Sequence, residues 1–219
     1  MVPLQLKLKK QQHRDVAKSQ DIVMETLVNI LPNAILHGGT GIWRCYAGNR
    51  FSEDIDVYLA HDKKKIETFF QKLHDGGFTI VKKRISDVSI YSTLQMERIQ
   101  IRFEALFKKE NGILHHFQKT DGNILTVFTL TPEQFLKEKI ATYTKRRKVR
   151  DLYDIYFLLQ IISDISLVQP ELSSLLSHYQ APLDEEDLKT IVYEGIVPTS
   201  KQMMESIKYY GKEKISGRR

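Results

Sequence analysis

The sequence predicts an α/β (α+β) fold in which strands with interspersed helices give way to helices alone. Three observations carry this. Apolar residues recur at helical spacing early in the chain, at Val16, Val23, Leu27 and Ile30. Polar and apolar residues alternate with the period of a strand in Asp54-Ile55-Asp56-Val57-Tyr58-Leu59 and around Ile99, Ile101 and Phe103. From Thr131 onward the alternation stops and only helical periodicity remains.

In chain order, residues 12–31 form an amphipathic helix, broken by Pro32-Asn33. Ala34-Ile35-Leu36 reads as a short buried strand running into His37-Gly38-Gly39-Thr40, where the glycines call for a tight turn. Residues 41–46 hold one or two helical turns, and residues 54–59 a half-buried strand. Ile66, Phe69, Phe70 and Leu73 mark a helical face that closes at Gly76-Gly77. Three β-rich runs follow, over residues 78–85, 88–96 and 98–107, with another strand at 124–130. Thr131-Pro132-Glu133 then supplies a helix cap and first turn. Pro170, Pro182 and Pro198 are breaks between the later helices, and the polar, basic residues 212–219 read as a frayed end.

The bulk properties bound the function. With 219 residues, 42% hydrophobic and 27% charged, the chain can bury a real core, in one domain or in a core with a helical companion. Lys and Arg outnumber Asp and Glu by 33 to 27, a net +6, which suits polyanionic partners such as nucleotides or RNA. The lone Cys45 excludes an intrachain disulfide and a multi-cysteine metal site, and a reducing, cytoplasmic location is expected. Neither a signal peptide nor a run of apolar residues long enough for a membrane span is visible.

Asp54 and Asp56 stand two apart on one strand, so their carboxylates share a face while Ile55 and Val57 point to the core. Hard oxygen ligands placed so can hold Mg²⁺ or Mn²⁺, and phosphoryl-type transfer wants such ions on both the attacking and the leaving oxygen. Glu104, on the polar face of another strand, is the candidate third ligand. Taken alone, the acid pair is weak evidence, because such a pair is more often a solvated strand face. Gly38-Gly39-Thr40 lets backbone N–H groups approach phosphate oxygens and adds a hydroxyl donor, although a glycine pair also makes an ordinary turn. Positive charge concentrates over residues 137–150, where Lys139, Tyr143 and Arg146 share one helical face able to neutralise triphosphate charge. Asp151 and Asp154 lie beside them, either orienting the basic groups or forming plain ion pairs. His115-His116 has no partners at ligand spacing and Cys45 no catalytic histidine in view, while a histidine placed like His37, beside glycines, is more often a turn or core residue than a base.

Four blocks, His37-Gly38-Gly39-Thr40, Arg50 to Asp56, Lys139-x-Ala141 with Arg146, and Arg150-Asp151-Leu152-Tyr153-Asp154, together resemble the AbiEii/AbiGii toxin family of nucleotidyltransferases. The blocks span roughly residues 30 to 160; the bulky Trp43 after the glycines departs from the pattern, and residues 161–219 match nothing in it. The resemblance implies a nucleotidyltransferase-like mixed-sheet core over residues 1–130 and a mostly helical region over 131–219 that contributes basic nucleotide-binding residues. It implies transfer of a nucleotide from an NTP, with Mg²⁺ or Mn²⁺, to an acceptor hydroxyl, with tRNA or another RNA as acceptor and an antitoxin protein as partner. Asp54 and Asp56 match the metal-binding acids, Gly38, Gly39 and Thr40 the phosphate loop, Lys139 and Asp151 later essential positions, and Ser52 and Arg146 supporting nucleotide-binding ones. The competing reading is a non-catalytic nucleotide- or RNA-binding module on the same fold.

Overall fold

The computed structural model describes residues 2–216, with side chains through residue 211; of the end expected to fray, residues 217–219 lie outside the described residues. Two compact units divide the chain: residues 1–47 with 51–130, and residues 48–50 with 131–219.

The first unit is built on a seven-stranded mixed sheet. Its elements are α1 (Leu4–Lys7), α2 (Gln11–Ile30), β1 (Ile35–His37), α3 (Gly38–Cys45), β2 (Ile55–Leu59), α4 (Lys63–Asp75), β3 (Thr79–Ile85), β4 (Ser89–Met96), β5 (Ile99–Phe107), β6 (Ile113–Gln118) and β7 (Ile124–Thr129). The spatial order is β3-β4-β5-β2-β1-β7-β6, with β2 parallel to β5, β1 parallel to β7 and the other neighbours antiparallel. One face of the β4-β5-β2 region is apolar: Ile90, Leu94, Ile101, Phe103, Ala105, Ile55 and Val57 are all buried. Phe69 and Phe70 of α4 pack on Phe103, at ring-centroid distances of 4.9 and 6.3 Å. Each such aromatic burial stabilises the unit by about 1.5–3 kcal/mol. Val16, Val23 and Leu27 of α2 are buried as their spacing requires, whereas Ile30 is only half-buried.

Three local expectations change. The glycine pair opens α3 directly, so the expected turn and the helical turns after it are one helix, Gly38–Cys45. β2 is not half-buried: Tyr58 and Leu59 are buried as well as Ile55 and Val57, because β2 lies inside the sheet between β5 and β1. β6 escaped the sequence reading because Phe117 alone of its six residues is buried, which leaves an edge strand without a period-2 signal.

A buried ionic cluster ties α2 and α3 to the end of β6. Asp21 pairs with Arg44 and accepts from the Thr120 amide (2.8 Å) and hydroxyl (2.6 Å), while Arg44 donates to the Gln118 carbonyl (2.7 Å). The Arg44 guanidinium lies 4.4 Å from the Phe117 ring centroid.

The second unit is helical: α5 (Pro132–Arg146), α6 (Val149–Ile161), a 3-10 turn (Ile165–Val168), α7 (Gln169–Ser177), a second 3-10 turn (Glu185–Asp187), α8 (Leu188–Ile191) and α9 (Ser200–Ser216). Thr131 and Gln134 form a reciprocal capping box with Pro132 in the first turn, which satisfies donors that a helix start leaves open. α5 ends where Arg147 turns left-handed, at φ 51°. Phe135, Leu136, Leu152, Ile155, Leu158 and Leu172 form the core of this unit. Residues 48–50 join it through the Asn49 carbonyl, which accepts from the Tyr193 amide (3.1 Å), and through a bridge from Arg50 to Val192. No described helix is long and apolar enough to cross a membrane.

Candidate active site

Sheet register lines up the polar residues of the first unit. His37 pairs with Asp56 across β1 and β2, Asp56 with Glu104 across β2 and β5, Glu104 with Tyr91 across β5 and β4, and Tyr91 with Arg84 across β4 and β3. Residues paired in register project to one face, so these five side chains form a row opposite the apolar face. Neighbouring strands lie about 4.8 Å apart, which brings the Asp56 and Glu104 carboxyl groups side by side. A cavity of about 240 Å³ opens over His37, Asp56, Tyr91 and Glu104.

The glycine helix fits against this row. Gly38 has φ +69°, and a Cβ built on it would stand 2.2 Å from Asp56 Oδ2. The Asp56 carboxylate therefore rests on the bare Cα of Gly38, at the start of α3, where helix-terminal amides favour negative charge. Thr40 is fully buried, and its hydroxyl donates to the Asp54 carbonyl, fixing α3 to the entry of β2. Gln20, also buried, donates to the carbonyls of Ser52 and Glu53 (3.0 Å each) and so pins the approach to Asp54. His37 stacks on Tyr58 at 4.0 Å.

The two aspartates differ in surroundings. Both Asp54 carboxylate oxygens accept from Arg102, Oδ1 at 2.9 Å and Oδ2 in a shorter contact. These bonds hold the Arg102 guanidinium above its ordinary pKa, against a partial desolvation that works the other way. Burial, and then the charge of Asp56, push the Glu104 carboxyl above the usual carboxylate range, only partly opposed by Arg102. Two like charges and a cavity are a setting that a cation relieves. The donors are hard oxygens suited to Mg²⁺ or Mn²⁺, so Asp56 and Glu104 fit such an ion, and Asp54 fits it once Arg102 moves aside. Among the described residues no three His, Cys, Asp or Glu side chains already converge as a metal cage.

Lys139, Arg146, Asp151 and Asp154 meet in the second unit as the sequence reading expected, together with one residue that it did not place there, Arg50. Asp154 accepts from Arg50 through both oxygens (2.6 Å each) and from Lys139 Nζ at 2.7 Å. Asp151 accepts from Arg146 (2.7 and 2.9 Å) and Lys139 (3.3 Å). Burial opposes the charge on Asp154, but Arg50 and Lys139 outweigh it and hold its pKa below the ordinary value. The same pairing outweighs burial and raises Arg50. Three cations face two carboxylates, and Arg146 alone of the three reaches solvent to any extent, its side chain 42% exposed. The i, i+3 spacing of Asp151 and Asp154 was the signal for this network; nothing in the sequence marked Arg50 as the bidentate partner some hundred residues upstream.

Other candidates stand apart from both clusters. The Cys45 thiol is buried and its pKa is pushed up to about 12 by desolvation, which makes it unreactive. His115 is tilted on Tyr46 at 4.5 Å.

The mixed sheet, the glycine helix and the carboxylate row define a nucleotidyltransferase-type fold, and solved structures agree. The chain is similar to MenT4, a nucleotidyltransferase toxin from Mycobacterium tuberculosis H37Rv (TM-score 0.67, 19% identity, 94% of this chain and 86% of that one). It is similar also to JHP933 from Helicobacter pylori (TM-score 0.64, 16% identity, 94% and 96% of the two chains). The family model described as "Nucleotidyl transferase AbiEii toxin, Type IV TA system" matches residues 23–208, and the chain belongs to that family. No curated protein matches it in sequence.

Proposed function

We propose that this protein is the toxin of a toxin–antitoxin pair and transfers a nucleotide from an NTP to an acceptor hydroxyl, with tRNA as the acceptor and an antitoxin protein as its counterpart in the cytoplasm. The observation that carries the reading is the seating of Asp56 against Gly38 with Glu104 in register beside it. A metal-dependent transfer needs carboxylates held rigidly at a helix start that can take phosphate, and this arrangement supplies both.

In this reading Asp56, Glu104 and Asp54 hold Mg²⁺ or Mn²⁺, which when bound lowers the pKa of the acceptor hydroxyl and neutralises phosphate charge. The amides at Gly38 and Gly39 orient phosphate oxygens, while Thr40 acts through the Asp54 carbonyl that its hydroxyl holds and Ser52 through its own carbonyl, which Gln20 holds. Glu104 serves either as third ligand or, where it does not hold the ion, as the base that takes the proton while the acceptor oxygen bonds to the α-phosphorus and pyrophosphate departs. Arg146, the cation of its cluster that reaches solvent, supplies counter-charge for the triphosphate, with Lys139 and Asp151 as its orienting partners. No covalent enzyme intermediate is needed.

The test is incubation with each α-phosphate-labelled NTP, Mg²⁺ or Mn²⁺, and unfractionated tRNA, with Asp56→Asn alongside. Asn keeps the shape of the side chain and removes its charge, and loss of several kcal/mol of stabilisation predicts a fall of about 10³-fold in transfer with the fold retained. Full activity in this variant refutes the assignment. Label on protein instead of RNA redirects the acceptor, and NTP binding without transfer favours a non-catalytic binding module.

A further inference from the structure

The row that contains the carboxylates does not end at them. Beyond Glu104 it continues to Tyr91 and then to Arg84 on the edge strand β3. The adjoining row on the same face runs from Arg102 through Thr93 to Lys82. Lys82 and Arg84 are exposed, and neither forms an ion pair with an acid among the described residues. Lys82 instead lies over the Tyr91 ring, its ammonium 4.9 Å from the centroid. Across the pleat the opposite arrangement holds: Lys83 is engaged with Glu67 (2.9 Å) and Phe70. Successive strands add about 4.8 Å each, so Tyr91 stands roughly 10 Å from Asp56 along the row and Arg84 roughly 14 Å.

We infer that this face of β3 and β4 is the docking track for the acceptor, and that the acceptor approaches as a single-stranded polynucleotide end. Two exposed cations without acid partners, flanking an aromatic ring, are what a phosphodiester chain with unstacked bases uses. The phosphates lie on Lys82 and Arg84, and a base takes the place of the Lys82 ammonium on Tyr91, which frees that ammonium for a phosphate. The chain then points its terminal hydroxyl along the row toward Glu104 and Asp56. The inference rests on the transfer reading for that direction only; the binding surface is testable without it.

The measurement is the salt dependence of binding of a short 5′-labelled oligoribonucleotide, followed by fluorescence anisotropy with neither NTP nor metal present. Each single-strand phosphate contact adds about 0.7 to the slope of log K against log salt, so Lys82→Gln with Arg84→Gln should lower that slope by about 1.4. Lys63→Gln with Lys64→Gln, the same charge change on α4 at the other face, should leave it unaltered. Tyr91→Leu should weaken binding about fivefold or more at unchanged slope, while Tyr91→Phe, which keeps the ring, should bind as the wild type does. The inference is overturned by an unchanged slope in the β3 variant, by an equal fall in the α4 variant, or by polyglutamate binding this face as tightly as the oligoribonucleotide. Binding that follows these residues in a protein inactive in transfer would leave the track standing and refute the transfer reading alone.

Discussion

Gly38→Ala tests whether the candidate active site depends on the bare backbone beneath Asp56. Two costs can be separated. The first is conformational: φ +69° is the left-handed region, where a residue with a Cβ loses about 1–2 kcal/mol. For a chain of this size that is a fall in Tm of roughly 2–8 °C. The second is steric, because the new Cβ would stand 2.2 Å from Asp56 Oδ2 where ordinary contact begins at 3.4 Å, so the carboxylate must withdraw by about 1.2 Å. A displacement of about 1 Å at a reacting centre costs on the order of a hundredfold in rate. Gly77→Ala is the control, since Gly77 also has positive φ (+94°) but nothing lies within 4 Å of its built Cβ. Melting curves and nucleotidyl-transfer rates should therefore show comparable destabilisation in both variants and a hundredfold rate loss in Gly38→Ala alone. Equal activity in the two variants would refute the role assigned to the Gly38–Asp56 contact.

Two further outcomes follow from the electrostatics. Arg50→Met strands the buried Asp154 on Lys139 and should cost about 3–5 kcal/mol in urea denaturation at neutral pH, part of which Arg50→Met with Asp154→Leu restores. Because the folded-state pKa of Asp154 is depressed, its contribution is fully present above the unfolded value of about 3.9 and is lost as pH falls through the folded value. The gap between wild type and Arg50→Met should close accordingly in acid, and a variant as stable as wild type at pH 7 would contradict the pairing. Glu104→Gln should do the reverse. A carboxyl with raised pKa penalises the folded state increasingly as pH rises above its unfolded value of about 4.3, so the amide variant should be more stable than wild type at neutral pH and equal to it in acid, while transfer falls. Lower stability of Glu104→Gln at pH 7 would show that the acid row carries no such repulsion.

Much of this was legible in the sequence, and what was not has physical reasons. Strands such as Ile99–Phe107 and helices such as Gln11–Ile30 each bury one face, so their periods survive in the chain. Glu104 could be named from strand alternation, but its pairing with Asp56 is a matter of register between β2 and β5, which alternation does not encode. Ile113–Gln118 buried too little to leave a period. Arg102 and Arg50 were invisible as partners because a bidentate ion pair between residues distant in sequence has no local pattern. Gly38 was singled out as a phosphate-loop residue, yet its left-handed φ and the Asp56 carboxylate against its Cα depend on how β1 and β2 pair.

The symmetric-looking Asp54-x-Asp56 motif is asymmetric once folded. Asp54 has its counter-charge in Arg102, two residues before Glu104 on the adjacent strand, so the register that brings Asp56 to Glu104 brings Asp54 to a guanidinium. One pleat therefore pairs Asp54 with a guanidinium and the next sets Asp56 beside Glu104, where burial and then the Asp56 charge raise the Glu104 pKa. If a cation were held on this face as proposed, Asp56 and Glu104 would take it with the least rearrangement, because Asp54 would first have to exchange its two bonds from Arg102 for it.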